Sequence, residues 1–146
     1  MEGNSTFSAA SESAGNSFKK RILIVDDVEL ICRVLKNQLA AAGYQGVESE
    51  SDSRLVMERI KEFKPDLILL DIFMPHLSGL EILKSIRANS ELDEVIVLML
   101  SCAGADEQYQ SLELGAFGFI QKPVTAETLV QTITSKFAIA SRLGIQ

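Results

Sequence analysis

Asp26, Asp27, Asp71, Ser101 and Lys122 each stand at the end of an apolar run in this chain of 146 residues, and their types together suit phosphate and a divalent cation. Ile22-Leu23-Ile24-Val25 leads into Asp26-Asp27, Leu67-Ile68-Leu69-Leu70 into Asp71, Val95 to Leu100 into Ser101, and Phe117-Gly118-Phe119-Ile120 into Gln121-Lys122-Pro123. Carboxylates held within a few ångströms repel, raising one another's proton affinity unless a cation intervenes. A hard divalent ion resolves that conflict, and Mg2+ takes one or two carboxylates together with waters and phosphate oxygens. An ammonium and a hydroxyl on the same rim would meet the other side of the phosphate. Singly, each residue has an ordinary structural reading: Asp27 or Ser101 as a cap or turn former, Lys122 as a surface cation before proline, Asp71 as a strand-end residue in a solvated turn. Whether the fold brings these strand ends to one place separates the two readings.

The elements that must position them follow from hydrophobic period. The segments 21–25, 66–71 and 95–100, each built on an unbroken apolar run, read as strands buried on both faces, and Phe117 to Ile120 as a short fifth strand. Leu30, Ile31, Val34, Leu35 and Leu39 recur at helical spacing from about Val28 to Ala42, and Gly43 is a suitable stop. The acidic, alternating segment Gly46 to Glu50 reads as a weak strand at a sheet edge. Ser51 or Asp52 can cap a helix with Val56, Ile60 and Phe63 inward, ended by Pro65. Ser78 and Glu81 form a capping box ahead of a helix burying Leu80, Leu83 and Ile86. Tyr109, Leu112 and Ala116 suggest a short, less regular helix after Gly104, and Thr125 caps a last one carrying Leu129, Val130, Ile133 and Phe137. Strand and helix alternate five times, which predicts an α/β doubly wound parallel sheet with right-handed crossovers. Ligands in such sheets bind outside the carboxyl ends of the strands, near the reversal of strand order.

Composition narrows the function classes. A hydrophobic content of 47% over this length supports one domain with a core. The formal charge of -6 disfavours nonspecific attraction to nucleic acid or an anionic membrane surface. Cys32 and Cys102 have no metal-ligand spacing and no CxxC pattern, so reduced thiols are expected. No run approaches the roughly 18 apolar residues of a membrane helix, and no signal peptide opens the chain, which predicts a soluble cytoplasmic protein. Residues 1–18, rich in Ser, Ala, Gly and Asn, are expected to be a disordered leader, followed by one domain over 19–140 and a short tail over 141–146.

Taken in order, Val25-Asp26-Asp27, Leu70-Asp71-Ile72-Phe73-Met74-Pro75 with Gly79, Ser101, and Lys122-Pro123 resemble the receiver (CheY-like) domain of bacterial two-component response regulators. The resemblance covers about Lys19 to Ala140, and the joint occurrence of these pieces is specific where each alone is weak. It implies a flavodoxin-like (βα)5 sandwich with strand order 2-1-3-4-5, the order known from chemotaxis receivers. It further implies that Asp71 is the phosphoacceptor, receiving a phosphoryl group from a sensor histidine kinase or a histidine phosphotransfer protein. Asp27 and Asp71 would bind Mg2+ directly, Asp26 mainly through water, and Phe73 through its carbonyl. Ser101 and Lys122 would hold phosphoryl oxygens, the Lys122-Pro123 bond would be cis, and Ser101 with Phe119 would form the switch.

The implied output surface joins the fourth helix, fifth strand and fifth helix, which would meet a downstream effector or a second copy of the chain. No DNA-binding module follows Ala140, so direct nucleic-acid contact is not expected of this chain, whether free-standing or excised from a longer regulator. Phe73 and Ala103, two residues after Asp71 and Ser101, occupy the positions that in the family this chain resembles influence water attack on the phosphate. Neither can orient a water, and slow self-dephosphorylation is the expectation. Cys102 reads as a tolerated small hydrophobe. Two alternatives compete. A flavodoxin would need a hydroxyl- and glycine-rich phosphate loop where Asp26-Asp27 stands. A non-phosphorylated pseudo-receiver, acting as an interaction module, would usually lack part of the acid set or the lysine.

Overall fold

The computed structural model of the protein describes residues 19–102 and 104–144; the leader and Ala103, on which two of the expectations fall, lie outside them. Five strands, β1 (Arg21–Val25), β2 (Gly46–Glu50), β3 (Leu67–Asp71), β4 (Ile96–Ser101) and β5 (Gly118–Gln121), pair in parallel in the order β2-β1-β3-β4-β5. The helices between and after them are α1 (Glu29–Ala41), α2 (Val56–Phe63), α3 (Gly79–Arg87), α4 (Ala105–Glu113) and α5 (Ala126–Arg142). This is the doubly wound parallel sheet that the strand pattern predicts, in the flavodoxin-like order that the family resemblance implies.

Successive strand residues point to opposite faces, and both faces are covered. Ile22, Ile24, Leu67, Leu69, Leu98 and Leu100 pack with Cys32, Leu35 and Leu39 of α1 and Leu129, Ile133 and Ala140 of α5. Their neighbours Leu23, Val25, Ile68, Leu70, Val97 and Met99 pack on the other side with Val56, Ile60 and Phe63 of α2 and Ile82, Leu83 and Ile86 of α3. The polar strand β2 lies at an edge, where Glu48 and Glu50 pair with Arg59 at 3.2 and 3.4 Å.

Local chemistry sets the ends of these elements. Ser78 and Glu81 make both bonds of the capping box, at 3.2 and 2.9 Å. Asp52 caps a single 3-10 turn, Ser53–Leu55, that precedes α2, and Lys64 ends α2 at φ 54° before Pro65. Thr125 caps α5 by accepting from the Thr128 N–H at 3.1 Å.

Three helical faces differ from the periodic reading. In α1 the inward stripe is Cys32, Leu35 and Leu39, while Leu30 and Val34 are exposed. At about 100° per residue those two positions lie together on the opposite side, so one surface cannot bury all five apolar residues. In α4 the buried residue is Ser111, its hydroxyl donating to the Gln108 carbonyl at 2.7 Å, whereas Tyr109 is 66% exposed and Leu112 also faces solvent. Apolar spacing alone does not say which side meets the sheet. In α3 the inward set includes Ile82, and Leu80 is only partly buried.

Candidate functional site

Parallel pairing aligns the carboxyl ends of the central strands. Val25 pairs with Leu70, Asp71 with Leu100, and Ser101 with Gln121, so the residues that follow β1, β3, β4 and β5 share one rim. Strand order reverses there, since β1 lies between β2 and β3. Carboxylate oxygens of Asp26, Asp27 and Asp71 all lie within 4.8 Å of one another. Lys122 Nζ stands between two of them, 2.8 Å from Asp26 Oδ2 and 3.4 Å from Asp71 Oδ1.

Burial makes this grouping electrostatically demanding. Asp26 is 0% exposed, and Asp71 and Ser101 are also buried, while Asp27 faces solvent. Burial first, then the Asp26 charge, pushes the Asp71 carboxyl up to about 6, against the opposing pull of Lys122. Burial works against the Lys122 ammonium, but the hydrogen bond to Asp26 and the charges of Asp71 and Asp26 hold its pKa above the ordinary lysine value. One ammonium cannot neutralise three carboxylates. The donor set, all hard oxygens with one open, solvent-reached member in Asp27, fits a divalent cation such as Mg2+.

Backbone contacts hold these groups in place. Asp26 Oδ1 accepts from the Val28 N–H at 2.9 Å, and the Cys32 thiol donates to the Asp26 carbonyl at 3.3 Å. Burial and the Asp26 charge push the Cys32 thiol up to about 11, so it stays protonated and serves as a donor. The Lys122 N–H bonds the Ser101 carbonyl at 2.8 Å, and the Lys122-Pro123 peptide is cis. Gly79 lies so close to the chain leaving β3 that a Cβ there would strike the Asp71 carbonyl and Ile72 Cα. The glycine of the motif is thus a close approach of α3 to the Asp71 backbone.

Phe73 is 55% exposed beside the rim, and Phe119 on β5 is 37% exposed, its neighbour Ile120 being the one that enters the core. A purely core role for Phe119 is therefore not what this conformation shows. Cys102 is exposed, next to Ser101. The structure brings Asp26, Asp27, Asp71 and Lys122 into one cluster and places Ser101 on the adjoining strand end. Sequence reading missed the contact of Cys32 with Asp26 and a contact of Ser53 with the loop after Asp71. Neither has a local signal, because the partners are backbone groups supplied by other elements.

A (βα)5 parallel sheet with an acidic rim and one embedded lysine defines the class to which the chain is assigned by fold. The chain belongs to the response regulator receiver domain family, whose model matches residues 22–134. It is 34% identical over 118 residues to the chemotaxis protein CheY-3 of Vibrio cholerae, a match spanning 80% of this chain and 91% of that protein. It is 33% identical over 129 residues to a protein-glutamate methylesterase/protein-glutamine glutaminase of Archaeoglobus fulgidus, covering 86% of this chain and 37% of that one. Among solved structures, a CheY-like response regulator receiver domain protein from Methanospirillum hungatei superposes with a TM-score of 0.77 at 31% identity, over 84% of this chain and 97% of that chain. The chemotaxis response regulator CheY4 of Vibrio cholerae gives a TM-score of 0.74 at 30% identity, over 80% and 97%. Receiver domains of this family work in phosphorelay signalling. Among the described residues no helix is long and apolar enough to cross a membrane.

Proposed function

We propose that Asp71 accepts a phosphoryl group from the phosphohistidine of a sensor kinase or a phosphotransfer protein. The observation that carries this reading is the placement of Lys122 Nζ between Asp26 and Asp71, with the three carboxylates converging on one partly open rim. An Asp71 carboxylate oxygen attacks phosphorus as the P–N bond breaks. The acyl phosphate forms, and the departing imidazole regains a proton from solvent. Phosphoryl transfer asks a protein mainly for in-line positioning and charge neutralisation. Lys122 supplies one positive charge, and Ser101 a hydroxyl for a phosphoryl oxygen. Asp27, Asp71 and the Phe73 carbonyl would hold Mg2+, with Asp26 assisting through water, and the ion would supply the remaining charge neutralisation when bound.

Drawing Ser101 toward the new phosphate vacates space that the half-exposed Phe119 ring can enter, which biases the face of α4, β5 and α5 between two packings. A downstream effector, or a second copy of the chain, reads that face. The unit is taken as residues 19–140 with a leader before and a tail after it, acting in the cytoplasm. Phe73 offers no hydrogen bond to an attacking water, so self-dephosphorylation is slow. Incubation with a competent histidine kinase and Mg2+ is expected to give an acid-stable, hydroxylamine-labile phosphoprotein, lost in Asp71→Asn. Equal labelling of that variant would move the phosphoacceptor away from Asp71, and no labelling of the parent would overturn the assignment in favour of an interaction module.

A further inference from the structure

The loop between β3 and α3 turns on a strained residue. Leu77 N–H donates to the Pro75 carbonyl at 2.9 Å across His76, whose φ is 73°. That geometry is the rarer and more strained of the two γ-turns, and residues other than glycine seldom adopt it. The apex has neither glycine nor asparagine to ease it. Such a conformation persists only where the surroundings over-determine it.

The surroundings here include one hydroxyl from another element. Ser53, on the 3-10 turn before α2, is 3% exposed and lies 22 residues upstream of Pro75. Its Oγ donates to the Pro75 carbonyl at 2.6 Å and accepts from the Leu77 N–H at 3.1 Å. One side chain thus bonds both groups that close the turn, at a place from which the serine is shielded from water. The same loop begins at Asp71, carries Phe73, and is closed at its base by Gly79 N–H bonding the Ile72 carbonyl at 2.7 Å.

We infer that Ser53 is a positioning residue: it locks the strained turn at His76 and thereby sets where Phe73 stands at the Asp71 rim. Its consequence for cation binding rests on the function proposed above. Losing the hydroxyl leaves the Pro75 carbonyl and Leu77 N–H with a single weak bond across an unfavourable backbone, so the loop opens more often. Glycine at position 76 adopts positive φ without strain, and would close the turn unaided.

The test compares the unphosphorylated parent, Ser53→Ala, and Ser53→Ala with His76→Gly, by amide exchange and by amide shifts during titration with MgCl2 alone. Ser53→Ala is expected to speed exchange of the Leu77 amide by about three- to tenfold, the equivalent of one hydrogen bond, with β1 and β3 amides unchanged. The Mg2+ dissociation constant should rise by about the same factor, and His76→Gly should recover most of that loss. Unchanged Leu77 exchange, or a loosened turn with unaltered Mg2+ affinity, would overturn the inference. A parent that binds no Mg2+ would instead sink the proposed cation site, and the exchange arm would then decide the role of Ser53 by itself.

Discussion

Asp71 is the residue on which the electrostatics of the rim converge. Its folded pKa of about 6 stands above the ordinary carboxyl value of 3.8. The folded state therefore holds the proton more tightly than the unfolded chain. The stabilisation from protonation is complete below the unfolded value and is lost as pH rises through about 6. At neutral pH without metal, the ionised carboxylate is a net cost. Asp71→Asn is accordingly expected to stabilise the metal-free protein at pH 7 by about 1–3 kcal/mol, an advantage that fades toward pH 4. Urea denaturation at the two pH values measures it, and a destabilised variant would contradict the electrostatic account. Under the proposed function, Phe73 bears on a different property. With no side-chain hydrogen bond to aim a water, the phosphorylated form should persist for minutes or longer with Mg2+, and a lifetime of only seconds would count against this role.

Elements fix these residues by close packing more than by many bonds. The N-terminus of α3 rests on the backbone that follows Asp71, with room only for the hydrogen of Gly79. Gly79→Ala forces α3 outward, and a loss of about 1–3 kcal/mol is expected from overpacking, measured by urea midpoint at constant slope. Ser78→Ala removes only one capping bond of the same helix and should cost about 1 kcal/mol. The helix α4 behaves differently, because it buries Ser111 and leaves Tyr109 and Leu112 in solvent. Few buried apolar contacts mean low local stability. Amides of α4 should exchange well before those of α1, which buries Cys32, Leu35 and Leu39; equal protection would show that α4 is not the readily displaced element a switch requires.

For the whole molecule, the cation binding proposed above would be linked to folding. A ligand that binds only the native state stabilises it by an amount set by concentration over dissociation constant, about 2.7 kcal/mol at a hundredfold excess. Raising Mg2+ should therefore raise the thermal midpoint, EDTA should reverse the gain, and Na+ at equal ionic strength should not reproduce it. A midpoint indifferent to Mg2+ would argue that the three acids hold no metal. Much of this was legible in local pattern. Apolar runs, helical period, the capping box of Ser78 and Glu81, and carboxylates or a lysine at strand ends depend on neighbours in the chain, so the sequence by itself determined the five strands, their helices and the chemistry available at their ends. Tertiary structure decided the rest. Which side of α1 and α4 faces the sheet, the approach of Lys122 to Asp26 across 96 residues, and the reach of Ser53 into the turn at His76 all depend on how finished elements meet in space. Such contacts bind backbone carbonyls, N–H groups and distant carboxylates, which leave no period or spacing in the chain to read.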